Sequence, residues 1–494
     1  MNLIKKYIVL PVNILIVSIF ASQCFAQSQT PSADIQQQKT NSYLSIINKL
    51  FYFIQQNYVE DVDPQILYEG ALRGMFESLD DPYSVYMDKS EWRSISDTTN
   101  GSFGGVGLQI TKPTINTKDR PAYVEVVQPI DDTPGAKAGI QPGDLLIKID
   151  GTDTSTITMD EVLGLLRGTP GEDVVVTVKR KSVEFTRTLT RAIIVNPTVK
   201  YGMIGNSGYI RISEFSTTTA ADVQTALDSF KNEPKINGVI IDLRTNGGGL
   251  LSAAVDIADK FIDKGIIVST KSRVSADSRI YPATPKVVWK LPVIVLVNRA
   301  SASASEILTG ALKDTKKAYI MGERTYGKGS VQIPSGLLDN DGFKITVARY
   351  YSPTDINIDK KGIEPDETVS YPEFSEEGKA DWERMEKDDV IQKYVDEHPD
   401  MTEKEIAAYA EVLQKTYKIE PWFLRKIIRN HVDRTKPSRL YDLDYDIQLN
   451  KAVEVLSSGN WNKLMKSTET LKEQYARREA EEKENEGKSE SAGE

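Results

Sequence analysis

The chain has 494 residues, of which 39% are hydrophobic and 27% charged, and its net charge is −10. That length exceeds what one ordinary core holds, so two or three domains are expected. The acidic balance leaves no basic surplus to neutralise phosphates and argues against a nucleic-acid partner. The single cysteine is Cys24, and the two histidines, His398 and His431, lie near the end. A cysteine nucleophile and a histidine-rich zinc site are therefore not expected. A general base in the middle of the chain must be sought among Lys, Asp and Glu.

Lys5 and Lys6 precede an apolar run over residues 7–20, and small residues then lead through Ala26 into Gln27-Ser28-Gln29-Thr30. This is the pattern of a secretory signal peptide, residues 1–26, cut after Ala26. The run is shorter than the ~20 apolar residues that cross a bilayer; an uncleaved anchor is the alternative. Cleavage there would leave a mature chain without cysteine. Residues 27–40, rich in Gln, Ser and Thr, read as a loose linker. From residue 41 to about 88, Leu44, Ile47, Leu50, Phe51 and Ile54 recur at three- and four-residue steps and predict helix. Ser78-Leu79-Asp80-Asp81-Pro82-Tyr83 closes that unit with a turn, and the N-terminal region ends near residue 100.

Residues 101–191 predict a compact, strand-dominated module. Strands are expected at 104–110, 122–127 and 145–149, and a hairpin at 174–189. Thr158-Met159-Asp160-Glu161 fits a capping box, so the one good helix should begin at Thr158. Residues 192–370 alternate strands (209–212, 239–243, 293–297) with helices (220–230, 253–261, 303–312). That alternation predicts a mostly parallel sheet with helices packed on it. Residues 371–478 read as a charged helical extension. Within it, residues 421–432 form a basic amphipathic pattern, more consistent with packing on its own core than with a membrane. Residues 479–494, dominated by Glu, Lys, Ser and Gly, read as a disordered tail.

Three segments could carry chemistry. A buried strand runs into Asn246-Gly247-Gly248-Gly249, whose N–H groups can approach a reacting oxygen closely. Taken alone, such a triplet is as easily a plain turn. A second strand empties into Ser301-Ala302-Ser303-Ala304-Ser305-Glu306 at a helix start, where unpaired N–H groups favour negative charge. Here Ser303 could equally be a helix cap, since Ser303-Ala304-Ser305-Glu306 is itself a capping box. The third segment is Gly327-Lys328-Gly329-Ser330-Val331-Gln332. A lysine acts as a base only where burial disfavours its ammonium form, and an amide four residues on could orient it.

In this order, residues 242–251, 301–310 and 322–332 resemble the motifs of the carboxyl-terminal processing peptidases, or tail-specific proteases. The resemblance runs from about residue 41 to 369. It includes 78–83 and Gly362-Ile363-Glu364-Pro365-Asp366. It implies that Ser303, rather than Ser301 or Ser305, is the nucleophile, that Lys328 is its base, and that Gln332 holds the lysine. It places the oxyanion donors at Ala304 N–H and at Gly248 or Gly249, with Gly248 preferred. It names 101–191 as a PDZ domain, with Gly105-Val106-Gly107-Leu108 as the carboxylate-binding loop. Val162 and Leu166 would face the last substrate residue, with Leu163 and Leu165 in the core. Arg167 would link the PDZ position to assembly of the active site. Arg299, beside the nucleophile, and Tyr351-Ser352-Pro353-Thr354-Asp355 depart from the usual pattern.

The expected fold is therefore α/β and multidomain: a crotonase/ClpP-like α/β peptidase core, an inserted mainly-β PDZ domain, and helical N- and C-terminal regions. The expected function is an exported serine endopeptidase of the periplasm or cell envelope, cutting proteins near their carboxyl termini. Its partners would be protein substrates with accessible C-terminal tails, without metal, cofactor or nucleic acid. Membrane contact would come only through an uncleaved N-terminus or the amphipathic C-terminal helix, and a homo-oligomer is compatible with the sequence. The rivals are a PDZ adaptor on a dead peptidase scaffold and a crotonase-like acyl-CoA enzyme.

Overall fold

A computed structural model describes residues 31–491, apart from 114–115, 117–120, 196, 339, 435 and 437–438. The signal segment at 1–26 lies outside the described residues. The chain divides into two compact units, residues 1–78 and 79–494.

Within the first unit, two helices, Pro31–Asn57 and Pro64–Glu77, are described. Asp63 caps the second by accepting the Gln65 N–H at 2.9 Å, with Pro64 at the first helical position. The helix starts ten residues before the expected 41, so residues 31–40 are helical rather than a loose linker. Straight-chain Gln and Lys cost little in a helix and extend the amphipathic segment that follows them. The apolar residues Leu44, Ile47 and Leu50 are exposed.

In the second unit, the core is a six-stranded sheet. Its strands Ser207–Ile212, Gly238–Asp242, Val293–Val297 and Tyr319–Gly322 pair in parallel. Val199–Ile204 adds antiparallel at one edge and the short Glu367–Thr368 in parallel at the other. The two central strands are buried at every residue, as their unbroken apolar runs require. Helices Thr219–Lys231, Leu251–Ala258 and Ala304–Asp314 bury their apolar stripes with Val239, Ile241, Val293, Val295 and Val297 in one large cluster. On the opposite face, Leu449, Ala452, Val455 and Leu456 of helix Ile447–Ser457 pack with Ile240, Ile294, Leu296 and Met321. The C-terminal segment thus closes one face of the central sheet.

A second sheet is built from Gly342–Tyr351, which pairs with Val85–Met87, Ser330–Gly336 and Ile266–Ser272. The strand-dominated module at 101–191 has its own sheet, in the order Leu108–Thr111, Val124–Pro129, Leu145–Ile149, Asp173–Arg180, Val183–Thr190. Leu108–Thr111 is an edge strand. The capping box at Thr158 forms and starts helix Met159–Leu166. In the amphipathic helix Pro421–Asp433, Leu424, Ile428 and Val432 are buried in a helical core, as expected for a segment packed on its own protein. The terminal helix Leu471–Ser491 carries residues 479–491, which the sequence led us to expect disordered. It is anchored at its start by Leu471 and Tyr475 in the large core, and Arg477 pairs with Glu481 one turn on.

Candidate active site

The strand Gly238–Asp242 ends in a turn that ordinary residues rarely make. Thr245 has φ +61°, Gly248 +111° and Gly249 +132°. Asn246 holds this turn from inside: its side chain donates to the Ile212 carbonyl at 2.9 Å and accepts the Gly248 N–H at 2.8 Å. The adjacent strand Val293–Val297 leads into Ser303, whose φ of +54° makes a second strained corner immediately before helix Ala304–Asp314. Such conformations persist only where surrounding contacts over-determine them, and they concentrate at active sites.

The three serines of this segment are not equivalent. Ser301 and Ser305 are fully buried, and their hydroxyls donate to the Leu243 carbonyl at 2.8 Å and the Asn246 carbonyl at 2.9 Å. They stitch the two strand ends together. Ser303 is only half-buried. A Cβ on Gly248 would stand 2.8 Å from the Ser303 Cβ and 3.0 Å from the Ala304 nitrogen, so glycine is required for the two turns to meet. The Ala304 N–H, at the first helical position, has no hydrogen-bond partner among the described residues.

Glu306 was read from the sequence only as the third residue of a cap. Its side chain is 1% exposed, and it joins all the parts. One carboxylate oxygen accepts the N–H of Ser303 at 2.9 Å and the N–H of Lys328 at 2.9 Å. The other accepts the Gly327 N–H at 2.7 Å and the Thr325 hydroxyl at 2.5 Å. Two residues far apart in sequence therefore share one oxygen. Tyr350 adds a second tie, its hydroxyl donating to the Lys328 carbonyl and lying 3.4 Å from the Ser303 carbonyl oxygen. The signal that could have found Glu306 is an acidic residue in an otherwise apolar, small-residue helix start.

The Lys328 amine lies 4.8 Å from the Tyr83 ring centroid. Burial pushes its pKa below the ordinary lysine value and the charge of Lys344 adds to this, while Asp81 and Glu306 oppose it. Burial likewise pushes the Glu306 carboxyl up to about 7, against the four donors that favour its ionised form.

Two expectations need correction. Gln332 does not hold Lys328: its amide donates to Ser330 at 2.8 Å and Thr346 at 3.1 Å. A register shift between Val331 and Gln332 breaks the regular strand that the four-residue offset assumed, and it turns the amide toward the neighbouring strand. The Gly248 N–H, preferred as an oxyanion donor, is already given to Asn246. The Gly249 N–H has no such partner among the described residues. Arg299 is 82% exposed and approaches Glu323 at 3.6 Å. With Glu323, Arg324, Tyr326 and Glu364 it lines a cleft of about 800 Å³ beside the lysine loop.

In the PDZ module, Gly107 has φ +72° and packs directly on Thr133, so no side chain fits there. The Val106 and Gly107 carbonyls are occupied by Gly135 and Ile130, each at 2.8 Å. Their N–H groups have no partner among the described residues, at the head of the open edge strand Leu108–Thr111. Gly105 is buried and Leu108 half-buried. Val162 and Leu166, expected to face a substrate residue, are instead buried in the module core, while Leu163 and Leu165 are half-buried. Val162 and Leu166, one turn apart, share the helix face that packs into the module core. Arg167 pairs with Asp97 of helix Lys89–Asn100 at 3.3 Å and stacks 4.9 Å from the Phe103 ring centroid.

Comparison with known proteins follows this geometry. The model of peptidase family S41 matches residues 206–369, a PDZ domain model matches 125–180, and the model described as activating protease CtpB N-terminal domain matches 15–91. The carboxy-terminal-processing protease of Bartonella bacilliformis is 38% identical over 353 residues, covering 70% of this chain and 79% of that one. The carboxy-terminal processing protease CtpA of Bacillus subtilis is 34% identical over 331 residues, covering 67% of this chain and 69% of that one. Among solved structures, the photosystem II D1 C-terminal processing protease is 31% identical, with a TM-score of 0.40, covering 66% of this chain and 92% of that one. The chain belongs to peptidase family S41, among its carboxy-terminal-processing proteases.

Proposed function

We propose that Ser303 and Lys328 form the catalytic dyad of an exported endopeptidase whose PDZ domain receives the substrate's C-terminal tail. The observation that carries this reading is the single Glu306 oxygen that accepts both the Ser303 and Lys328 N–H groups. It holds the two backbones together; the hydrogen bonds among the described residues include none between the Ser303 hydroxyl and the Lys328 amine, so proton transfer requires the lysine side chain to turn to the hydroxyl. The Ser303 hydroxyl oxygen attacks the scissile carbonyl carbon while the neutral Lys328 amine takes its proton. The Ala304 and Gly249 N–H groups stabilise the resulting oxyanion. The C–N bond then breaks, and the Lys328 ammonium returns the proton to the leaving amine. Water attacks the acyl-enzyme with Lys328 again as base, the ester C–O bond breaks, and Ser303 recovers its proton.

For the PDZ domain, the supporting features are the free N–H groups of Val106 and Gly107 and the open edge of Leu108–Thr111, where a tail can add as a strand with its carboxylate on the loop. Arg167, through Asp97, is the proposed link from this module to the peptidase core. Export rests on the signal-peptide pattern at residues 1–26, and N-terminal sequencing of the envelope fraction would test it.

The decisive experiment compares wild type with Ser303→Ala and Lys328→Met on an unfolded substrate with a free C-terminal carboxylate. Both variants should fold and lose proteolysis, and amidation of the substrate carboxylate should raise KM for the wild type. Undiminished cleavage by either variant would sink the dyad. An amidated tail cleaved with unchanged KM would sink the PDZ role.

A further inference from the structure

We propose that Asp446, supplied by the C-terminal segment, is a positioning residue for the oxyanion turn. The proposal rests on the reading above, in which that turn presents a donor to the tetrahedral intermediate.

The turn from Arg244 to Gly249 holds three residues at positive φ, one of them the β-branched Thr245. Local preference does not maintain such a path, so contacts must. Asn246 fixes the glycine end. Asn298 accepts the Thr245 N–H at 2.9 Å. The entry is fixed by Arg244, whose guanidinium is bracketed by two carboxylates. Asp242 accepts from Nε at 2.9 Å and from one terminal nitrogen at 2.6 Å. Asp446 accepts from both terminal nitrogens, at 2.7 and 2.6 Å, in a two-pronged pair.

Asp446 is itself held. Its carboxylate accepts the Leu449 N–H at 3.0 Å, which starts helix Ile447–Ser457, and the Tyr371 hydroxyl at 2.8 Å. Gln448 accepts from Arg244 at 3.0 Å and donates to the Val369 carbonyl at 2.6 Å. Arg211 also bonds Asp242, at 2.9 Å. Removing Asp446 would therefore leave two guanidinium groups competing for one buried carboxylate. Arg244, left with Asp242, Gln448 and Tyr371 as its partners, would shift toward them and carry the strained turn with it. A helix that packs against the rear of the sheet thus sets the position of a backbone N–H at the front.

The test uses the full-length enzyme, a peptide substrate, the matching peptide aldehyde and the non-covalent product peptide. The aldehyde forms a tetrahedral adduct with Ser303 and reads the oxyanion site, while the product peptide reads ground-state binding. In Asp446→Asn, kcat should fall about tenfold or more, as expected for a donor displaced from a reacting oxygen, with KM within about twofold. Aldehyde affinity should fall by the same factor and product-peptide affinity should not change. Tyr371→Phe, which removes one bond to Asp446 and one at 3.2 Å from Arg244 but leaves the two-pronged pair, should show a smaller loss of the same kind. Val395→Ala serves as a control, because it opens a cavity in the separate helical core of the C-terminal segment and removes no hydrogen bond to residues 442–446. It should lower the melting temperature while leaving kcat at permissive temperature unchanged.

The proposal is overturned if folded Asp446→Asn keeps wild-type kcat and aldehyde affinity. It is also overturned if Asp446→Asn and Val395→Ala lose kcat alike, in step with stability. Failure of the underlying reading looks different and removes the proposal with it: wild type would bind the aldehyde no more tightly than the product peptide, or Ser303→Ala would bind it equally well.

Discussion

A carboxylate that accepts four hydrogen bonds is ordinarily a stronger acid than a free one, since each donor favours the charge. Glu306 has four donors, yet burial outweighs them and pushes its carboxyl up to about 7. The folded protein therefore keeps this proton to a higher pH than the unfolded chain, whose glutamates titrate near ~4.3. The sign follows: the contribution of Glu306 to stability is full below the unfolded value and is lost as pH rises through about 7. Catalysis runs the other way. The protonated acid turns one O–H toward a donor and gives up a bond to the serine or the lysine loop. We expect kcat to fall as pH drops through about 7, beneath a further dependence from Lys328, which must be neutral to act as the proposed base. Glu306→Gln mimics the protonated form at every pH. It should lose about ten- to a hundredfold in kcat, the worth of one charge-assisted bond at ~1.5–3 kcal/mol, and its profile should lack the limb near 7. A pH–kcat series on both proteins checks this, and wild-type rates for Glu306→Gln at pH 8 would refute it.

At the scale of the element, the glycine triplet divides into different tasks. Gly247 is exposed, and a Cβ there would meet nothing within 4 Å. Gly248 lies against Ser303 and Ala304, and Gly249 presses on the Phe215 backbone. Gly247→Ala should change stability by no more than ~0.5 kcal/mol and leave activity intact. Gly249→Ala must accept both a strained φ and a backbone clash, so a loss of ~1–3 kcal/mol and most of kcat is expected. Thermal melts and turnover of the two variants make the comparison, and equal behaviour would contradict the assigned geometry. The lysine loop shows the same economy. Gly327 lies under the Gly362 backbone, and Gly362 carries the buried Tyr475 hydroxyl bond at 2.8 Å from the terminal helix.

At the scale of the whole molecule, the segment after residue 370 is part of the peptidase rather than an appendage. Leu449, Ala452, Val455 and Leu456 cover one face of the central sheet, and Leu471 and Tyr475 enter the main core. Each large apolar side chain uncovered costs ~1.5–3 kcal/mol, and a domain's whole margin is ~5–15 kcal/mol. A chain ending at residue 370 should therefore give no cooperatively folded protein, which circular dichroism and melting would show; a stable, active truncation would refute it. The PDZ module differs, with a separate core of its own. Its Arg167–Asp97 pair is partly exposed, and a pair of that kind contributes only ~0–1 kcal/mol. It can break and re-form without unfolding either side, which suits a link between tail binding and catalysis.

Much of this was determined by the sequence alone. Unbroken apolar runs specify buried parallel strands, and small residues after them specify turns. Strands and turns are local features, so neighbouring residues are enough to read them. Ser303 and Lys328 are singled out only through the family resemblance carried by the glycine triplet, the serine segment and the lysine loop, since local spacing does not separate Ser303 from Ser301 and Ser305. Tertiary structure decided what polar groups do across tens to hundreds of residues. It gave the Gly248 N–H to Asn246, turned Gln332 to Thr346, buried Val162 and Leu166, tied the Ser303 and Lys328 N–H groups to Glu306 and set Asp446 against Arg244. A hydrogen-bond partner has no period or spacing along the chain. It is fixed only when packing brings two desolvated groups within reach, and then leaving either one unpaired costs more than the bond itself contributes.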